Sequence, residues 1–165
     1  MEELVIKKAR AAETALQHIT ESQEEQIKPI IFSIKQIQKK INETCQKHGM
    51  ADICMSCGGI CCVKDMETLC DDDFFFNLFY NIKEETKQKI FRALENNTQQ
   101  EECAFASPQG CIIPETSRPV ICKIFFCNRF GNFKKTISPL ASQLCEAVNL
   151  LFLKLTELNL RFTKR

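Results

Sequence analysis

Ten of the eleven cysteines in this 165-residue chain fall between residues 45 and 127, and only Cys145 lies outside that window. No other feature constrains the fold as strongly. It divides the chain into a cysteine-free N-terminal arm, a cysteine-rich middle and a C-terminal arm. The cysteine share sits just under the roughly 8–10% that marks a small disulfide scaffold. Five Gly and five Pro are too few for a loop-rich disulfide knot, and a 44% hydrophobic content is too high for disorder. An odd cysteine count also fits full pairing poorly.

Compartment decides how the thiols are read. The chain opens Met1-Glu2-Glu3, and the apolar Leu4-Val5-Ile6 stops at Lys7-Lys8, which is too short and too acidic in its flank for a signal-peptide core. No run approaches the roughly 18 apolar residues of a membrane span; the longest cover residues 150–153 and 74–80. A cytoplasmic protein with no membrane partner is the expectation. Glutathione keeps thiols reduced there, so a cysteine cluster reads as metal-binding or catalytic before it reads as disulfides. With 22 basic against 21 acidic groups there is no global field for nucleic acid, and such binding would need a local patch.

The arms read as helices. Residues 2 to about 26 are rich in Ala, Glu, Lys and Gln, with a thin stripe of Val5, Ala9, Ala12, Leu16 and Ile19. Pro29 predicts a break, with a second helix starting near Lys28. Its Ile27, Ile30, Ile34, Ile37 and Ile41 have heptad spacing, and Gly49 is a natural stop. In the C-terminal arm, Ser138-Pro139 predicts a cap followed by proline at the first helical position. That helix would run to about Phe162 on Ala141, Leu144, Val148, Leu151, Leu155 and Leu158. Leu140, Leu150, Leu153 and Leu160 widen the apolar surface and predict burial on more than one side. In the middle, Asp71-Asp72-Asp73 would cap a helix carrying Phe75, Leu78, Phe79 and Ile82. Asn81 with Glu84 would start another to about Asn97, with Ile90, Phe91 and Leu94 inward. Strand signals are weak; residues 120–126 are the best candidate. The expected architecture is a mainly α single domain over 1–165. A helical arm (1–50) and a C-terminal helix (136–165) form a bundle that carries an irregular cysteine-rich metal-binding region (51–135). A homodimer or another protein partner through one of the helix stripes is the rival use of those faces.

The first cysteine run is Cys54-Met55-Ser56-Cys57-Gly58-Gly59-Ile60-Cys61-Cys62. A two-residue gap lets two sulfurs turn onto one ion at about 2.3 Å, and Gly58-Gly59 removes Cβ clashes where the chain must fold sharply. Adjacent Cys61 and Cys62 tend to diverge, which suits two neighbouring sites. The second group is Cys103, Cys111, Cys122 and Cys127. Two groups of four suit two four-sulfur zinc or iron sites, or an iron–sulfur cluster with a partner site.

The first run resembles the opening of the YkgJ-type cysteine-cluster family, a zinc- or iron-chelating domain. Cys103-Ala104-Phe105, Gly110-Cys111-Ile112-Ile113, Ser117-Arg118-Pro119-Val120-Ile121-Cys122 and Phe125-Phe126-Cys127 are similar to its later blocks. The resemblance spans about residues 54–127. Ala104 and Phe126 stand where the family often has proline, and Ile113-Pro114 where it often has Ile-Tyr; no sulfur is lost. A related cysteine block occurs in flagellin lysine N-methylases.

The other cysteines differ. Cys45 continues the isoleucine stripe and reads as core, although Cys45 and His48 form a C-x-x-H that Cys54 and Cys57 would complete as a zinc set. Cys70 and Cys145 read as core or peripheral thiols, and His18 as solvated. Between residues 118 and 135 the chain carries Arg118, Lys123, Arg129, Lys134 and Lys135 and no acid. Cations beside thiolates lower their pKa, and Arg118 is the best candidate to act from behind the ligands. The rival use of this stretch, a nucleic-acid patch with Phe125, Phe126, Phe130 and Phe133, is unspecific. Enzyme signatures are incomplete. Lys64 stands where a radical-SAM motif needs its third cysteine, no phosphate or dinucleotide loop occurs, and neither histidine sits in the cysteine core. Three functions follow: a structural or metal-handling protein holding zinc or iron, an iron–sulfur redox or accessory protein, and a helical partner-binding protein with a purely structural metal.

Overall fold

A computed structural model describes residues 2–49, 72–96, 103–107, 110–120, 122 and 133–161. Among the described residues there are five α-helices: α1 (Glu2–His18), α2 (Glu21–Lys47), α3 (Asp72–Phe79), α4 (Glu84–Asn96) and α5 (Phe133–Glu157). Between α4 and α5 lie a two-stranded antiparallel ladder, β1 (Ala106–Ser107) and β2 (Gly110–Cys111), and a single 3-10 turn over Glu115–Ser117. The expected mainly α class is the observed one.

The second helix starts at Glu21, seven residues earlier than proline implies. Thr20 closes a capping box: its Oγ1 accepts from Gln23 N (3.3 Å), while its own N–H donates to Gln23 Oε1 (3.0 Å). Two orphan donors are thus satisfied at once, and that decides the start of α2. Pro29 lies inside α2 rather than before it. It denies the Glu25 carbonyl its donor, but both residues are exposed, so water replaces the lost bond. Pro139 likewise lies within α5, which begins at Phe133 and not at a Ser138 cap. Its exposed position leaves the Lys135 carbonyl to solvent.

Helix α5 stops at Glu157, short of Phe162. Asn159 adopts a left-handed φ of 54°, Leu160 N donates to Leu155 O (2.8 Å) and Asn159 N to Thr156 O (3.1 Å). These two bonds form a Schellman motif with asparagine in the usual glycine place, and buried Leu155 and Leu160 supply its apolar contact. Asn81 plays a comparable part after α3, with φ 58°, so it ends one helix rather than starting the next. Gly49 (φ 64°) closes α2 as expected, with Gly49 N on Gln46 O at 3.0 Å.

Helices α2 and α5 run antiparallel along their whole length. Gln23 Nε2 reaches Leu158 O at one end (3.4 Å), and the His48 and Phe133 rings stack at a tilt, 4.8 Å apart, at the other. The seam is Ile27, Ile31, Ile34 and Ile41 facing Ile137, Leu144, Leu151 and Leu155, all buried. Ile30 and Ile37 flank it half-buried, and Gln38 takes one of its central positions. Leu150 and Leu153 depart from expectation: they are 51% and 55% exposed on the outer face of α5, because α2 covers only one side. The stretch Lys135–Glu157 is also long and apolar enough to cross a membrane by length and composition, which counting unbroken apolar runs does not show. A core helix passes the same test; here Leu144, Leu151 and Leu155 are fully buried, while only 17% of the window is buried inside the fold.

Helix α3 is the hub. Residues 74–80 are buried without a gap, the mark of a helix surrounded on all sides. It touches α1, α5 and the 3-10 turn. The small side chains Ala9, Ala12 and Ala15 of α1 allow close approach on this side. Helix α4 lies on α1 through buried Ile90, Phe91 and Leu94 and through the ion pairs Arg10–Glu95 (2.7 Å) and Lys87–Glu13 (2.8 Å).

Candidate functional site

The second cysteine segment, residues 103–122, is hung on the helices by apolar anchors. Phe105, Ile113, Ser117 and Pro119 are buried. Phe105 sits against Phe74 of α3, with ring centroids 6.2 Å apart. Ile112 N donates to Phe105 O (2.9 Å) and extends the ladder that pairs Ala106 with Cys111. Ser117 N closes the 3-10 turn on Pro114 O (2.9 Å), and Cys122 N turns back onto Pro119 O (3.0 Å). This last bond, with Val120 in a turn, shows that the described part of residues 120–126 is not extended strand.

The cysteines of the segment are less covered than these anchors. Cys111 and Cys122 are exposed and Cys103 is half-buried. Cys54, Cys57, Cys61, Cys62 and Cys127 fall outside the described residues, as does Cys70. Among the described residues no three His, Cys, Asp or Glu side chains come together closely enough to hold a metal ion. Cys103, Cys111 and Cys122 therefore do not form a ligand set by themselves.

The accessory residues are placed as follows. The Arg118 guanidinium is half-buried and its Nε donates to Ile113 O (3.4 Å), bracing the segment from within. Cys45 is half-buried against the core. His48 is exposed, with Nδ1 2.9 Å from Thr44 O and its ring on Phe133, so its interactions are with its own helix and with α5. His18 is exposed as expected, and Cys145 lies exposed on α5. Of the basic stretch, Lys135 is exposed, while residues 123–132 fall outside the described part.

Three polar groups escaped the sequence reading. Gln38 is 1% exposed, and its Nε2 donates to Arg118 O at 2.8 Å. Lys35 donates to Tyr80 O (2.8 Å) and caps the end of α3 from a neighbouring helix; burial pushes its ammonium below the usual lysine range. Tyr80 is buried and its hydroxyl donates to Glu24 Oε1 (2.8 Å). Burial, then the bond to the Glu24 carboxylate and its charge, push the Tyr80 phenol from 10.0 up to about 12. This pair edges a cleft of about 320 Å³ between the end of α1 and the α3–α4 link, with Glu13, Gln17 and Lys87 on its walls. The isoleucine stripe puts Ile37 in the slot that Gln38 fills in the fold, so nothing local marks Gln38, Lys35 or Tyr80.

Compared with family models, with curated proteins and with solved structures, the chain matches none.

Proposed function

We propose that the protein binds zinc or iron through cysteines of its two runs, Cys54, Cys57, Cys61 and Cys62 with Cys103, Cys111, Cys122 and Cys127. One observation carries the reading. A cysteine kept for packing behaves as a small hydrophobe and is among the most buried residue types. Cys111 and Cys122 are instead exposed, each within a few residues of a buried anchor. The fold holds the backbone of this segment and leaves Cys111 and Cys122 exposed, with Cys103 half-buried. That suits thiolates that meet ligands from elsewhere in the chain, the first run above all. The motif resemblance between residues 54 and 127 points the same way. With no matching family model, the sulfur pattern bears the weight.

The chemistry follows from the ligand type. Four thiolates on a divalent ion carry a net charge near −2, and nearby cations such as Arg118 favour that state. Ligand binding contributes directly to folding in sites of this kind, so metal removal would loosen the cysteine region first. Purification without oxygen, followed by metal analysis and a visible spectrum, tests the proposal. Stoichiometric zinc with no visible absorption, or iron with charge-transfer bands that bleach on reduction, supports it and separates zinc from an iron–sulfur cluster. A metal-free chain that is fully folded and indifferent to chelators refutes it.

A further inference from the structure

We infer that Gln38 is a positioning residue that fixes the second cysteine segment, and with it Cys111 and Cys122, against helix α2; its bearing on metal uptake rests on the function proposed above. Gln38 occupies the buried position between Ile34 and Ile41. An aliphatic side chain there would continue the seam with no amide to desolvate. The amide is costly: Nε2 has a partner in Arg118 O at 2.8 Å, but Oε1 is buried without one. A buried carbonyl left without a donor is destabilising, so helix packing does not account for this residue. The bond it makes does.

Arg118 ends the 3-10 turn, and its carbonyl lies at the centre of the cysteine segment. The bond from Gln38 spans 80 residues of sequence. From Arg118 the order passes both ways. Its side chain holds Ile113 O, two residues from Cys111, and the following Pro119 O receives Cys122 N. The 3-10 turn packs on both α2 and α3, so the tether acts where the segment meets the helices. Fixing one carbonyl by a rigid, buried donor sets the height of Cys111 and Cys122 above the helical surface. A group hydrogen-bonded to a metal ligand is worth about 10- to 100-fold in metal affinity; Gln38 acts one step further out, through the Arg118 carbonyl, so the lower end sets its ceiling.

The test uses the full, reduced chain and the variant Gln38→Met, which keeps length and volume and removes the donor. Peptide-resolved amide hydrogen exchange is read first. Exchange in residues 110–122 should rise about 2- to 10-fold, the equivalent of one lost hydrogen bond, while the centres of α2 and α5 stay unchanged. Zn²⁺ affinity, read by competition with a coloured chelator, should fall by up to about 10-fold. Unchanged exchange in residues 110–122 overturns the assignment. So does a uniform rise over every helix, which would make Gln38 a packing residue only. If Gln38→Met fails to fold, Gln38→Leu gives the same readouts. A wild-type chain that takes up no Zn²⁺ defeats the metal reading alone, and the exchange measurement still decides for or against Gln38.

Discussion

Tyr80 is the single tyrosine of a chain without tryptophan, so its ionisation can be watched directly in the near-ultraviolet. The phenol is 7% exposed and donates to Glu24 Oε1 at 2.8 Å. Ionising it would place a second negative charge beside the Glu24 carboxylate, at the edge of the cleft that the two residues line. The result is a midpoint moved from 10.0 to about 12. Two pH units would correspond to about 3 kcal/mol of preference for the protonated phenol, an upper bound that water in the cleft beside Tyr80 and half-buried Glu24 screens towards about 1 kcal/mol. The sign is that of a group whose folded pKa is raised. Its contribution is complete below pH 10, where both states are protonated, and is lost as pH climbs towards 12. Folded protein should therefore titrate near 12 and denatured protein near 10. Glu24→Gln should bring the folded midpoint down by removing the charge and changing the acceptor. Between pH 10 and 12 the wild type should lose stability relative to Tyr80→Phe, which cannot ionise. A folded midpoint near 10, or one indifferent to Glu24→Gln, would refute the argument.

The other expectations test the seam, the helix boundaries and the sulfurs. Leu151→Ala should cost about 2–5 kcal/mol because it opens a cavity in the α2–α5 seam, whereas Leu153→Ala, on the exposed face, should stay within about 0.5 kcal/mol; denaturant melts distinguish the two. Pro29→Ala should raise the melting temperature, since it returns a donor to the Glu25 carbonyl and removes a residue that costs up to about 3 kcal/mol in an exposed helix interior. Cys57→Ser and Cys122→Ser should each lower bound metal and melting temperature sharply while Cys145→Ser changes neither. Equal metal loss in all three would show that the ligand set is misassigned.

Much of the helical layout is legible in the chain because periodicity reports one-sided burial. The α5 stripe, the α2 positions Ile27, Ile34 and Ile41, the inward Ile90, Phe91 and Leu94, and the stop at Gly49 all come from local pattern, whereas Ile31 and Gln38 hold the seam places expected of Ile30 and Ile37. The misplacements share one cause. Pro29 and Pro139 read as helix starts because proline is disruptive inside a helix. Solvent at their exposed faces makes the lost bond bearable, and exposure is not written locally. Asn81 and Asn159 read as a helix start and as ordinary helix. Both took up left-handed closing positions that glycine more often fills. Leu150 and Leu153 were expected to be covered, yet no other described helix reaches that side of α5.

The residues alone determined that this chain is mainly helical and that its thiols fall into two runs on which the proposed function rests, since spacing and residue type are local properties. They also named eight cysteines, of which the described structure places Cys103, Cys111 and Cys122. Tertiary structure decided what those positions mean. Phe105, Ile113 and Pro119 are apolar residues like many others until burial makes them the anchors of the segment. Gln38 is one more glutamine on a helix until a carbonyl 80 residues away in sequence accepts its amide N–H. Exposure and long-range hydrogen bonds depend on which surfaces meet, and that is settled only when the helices pack.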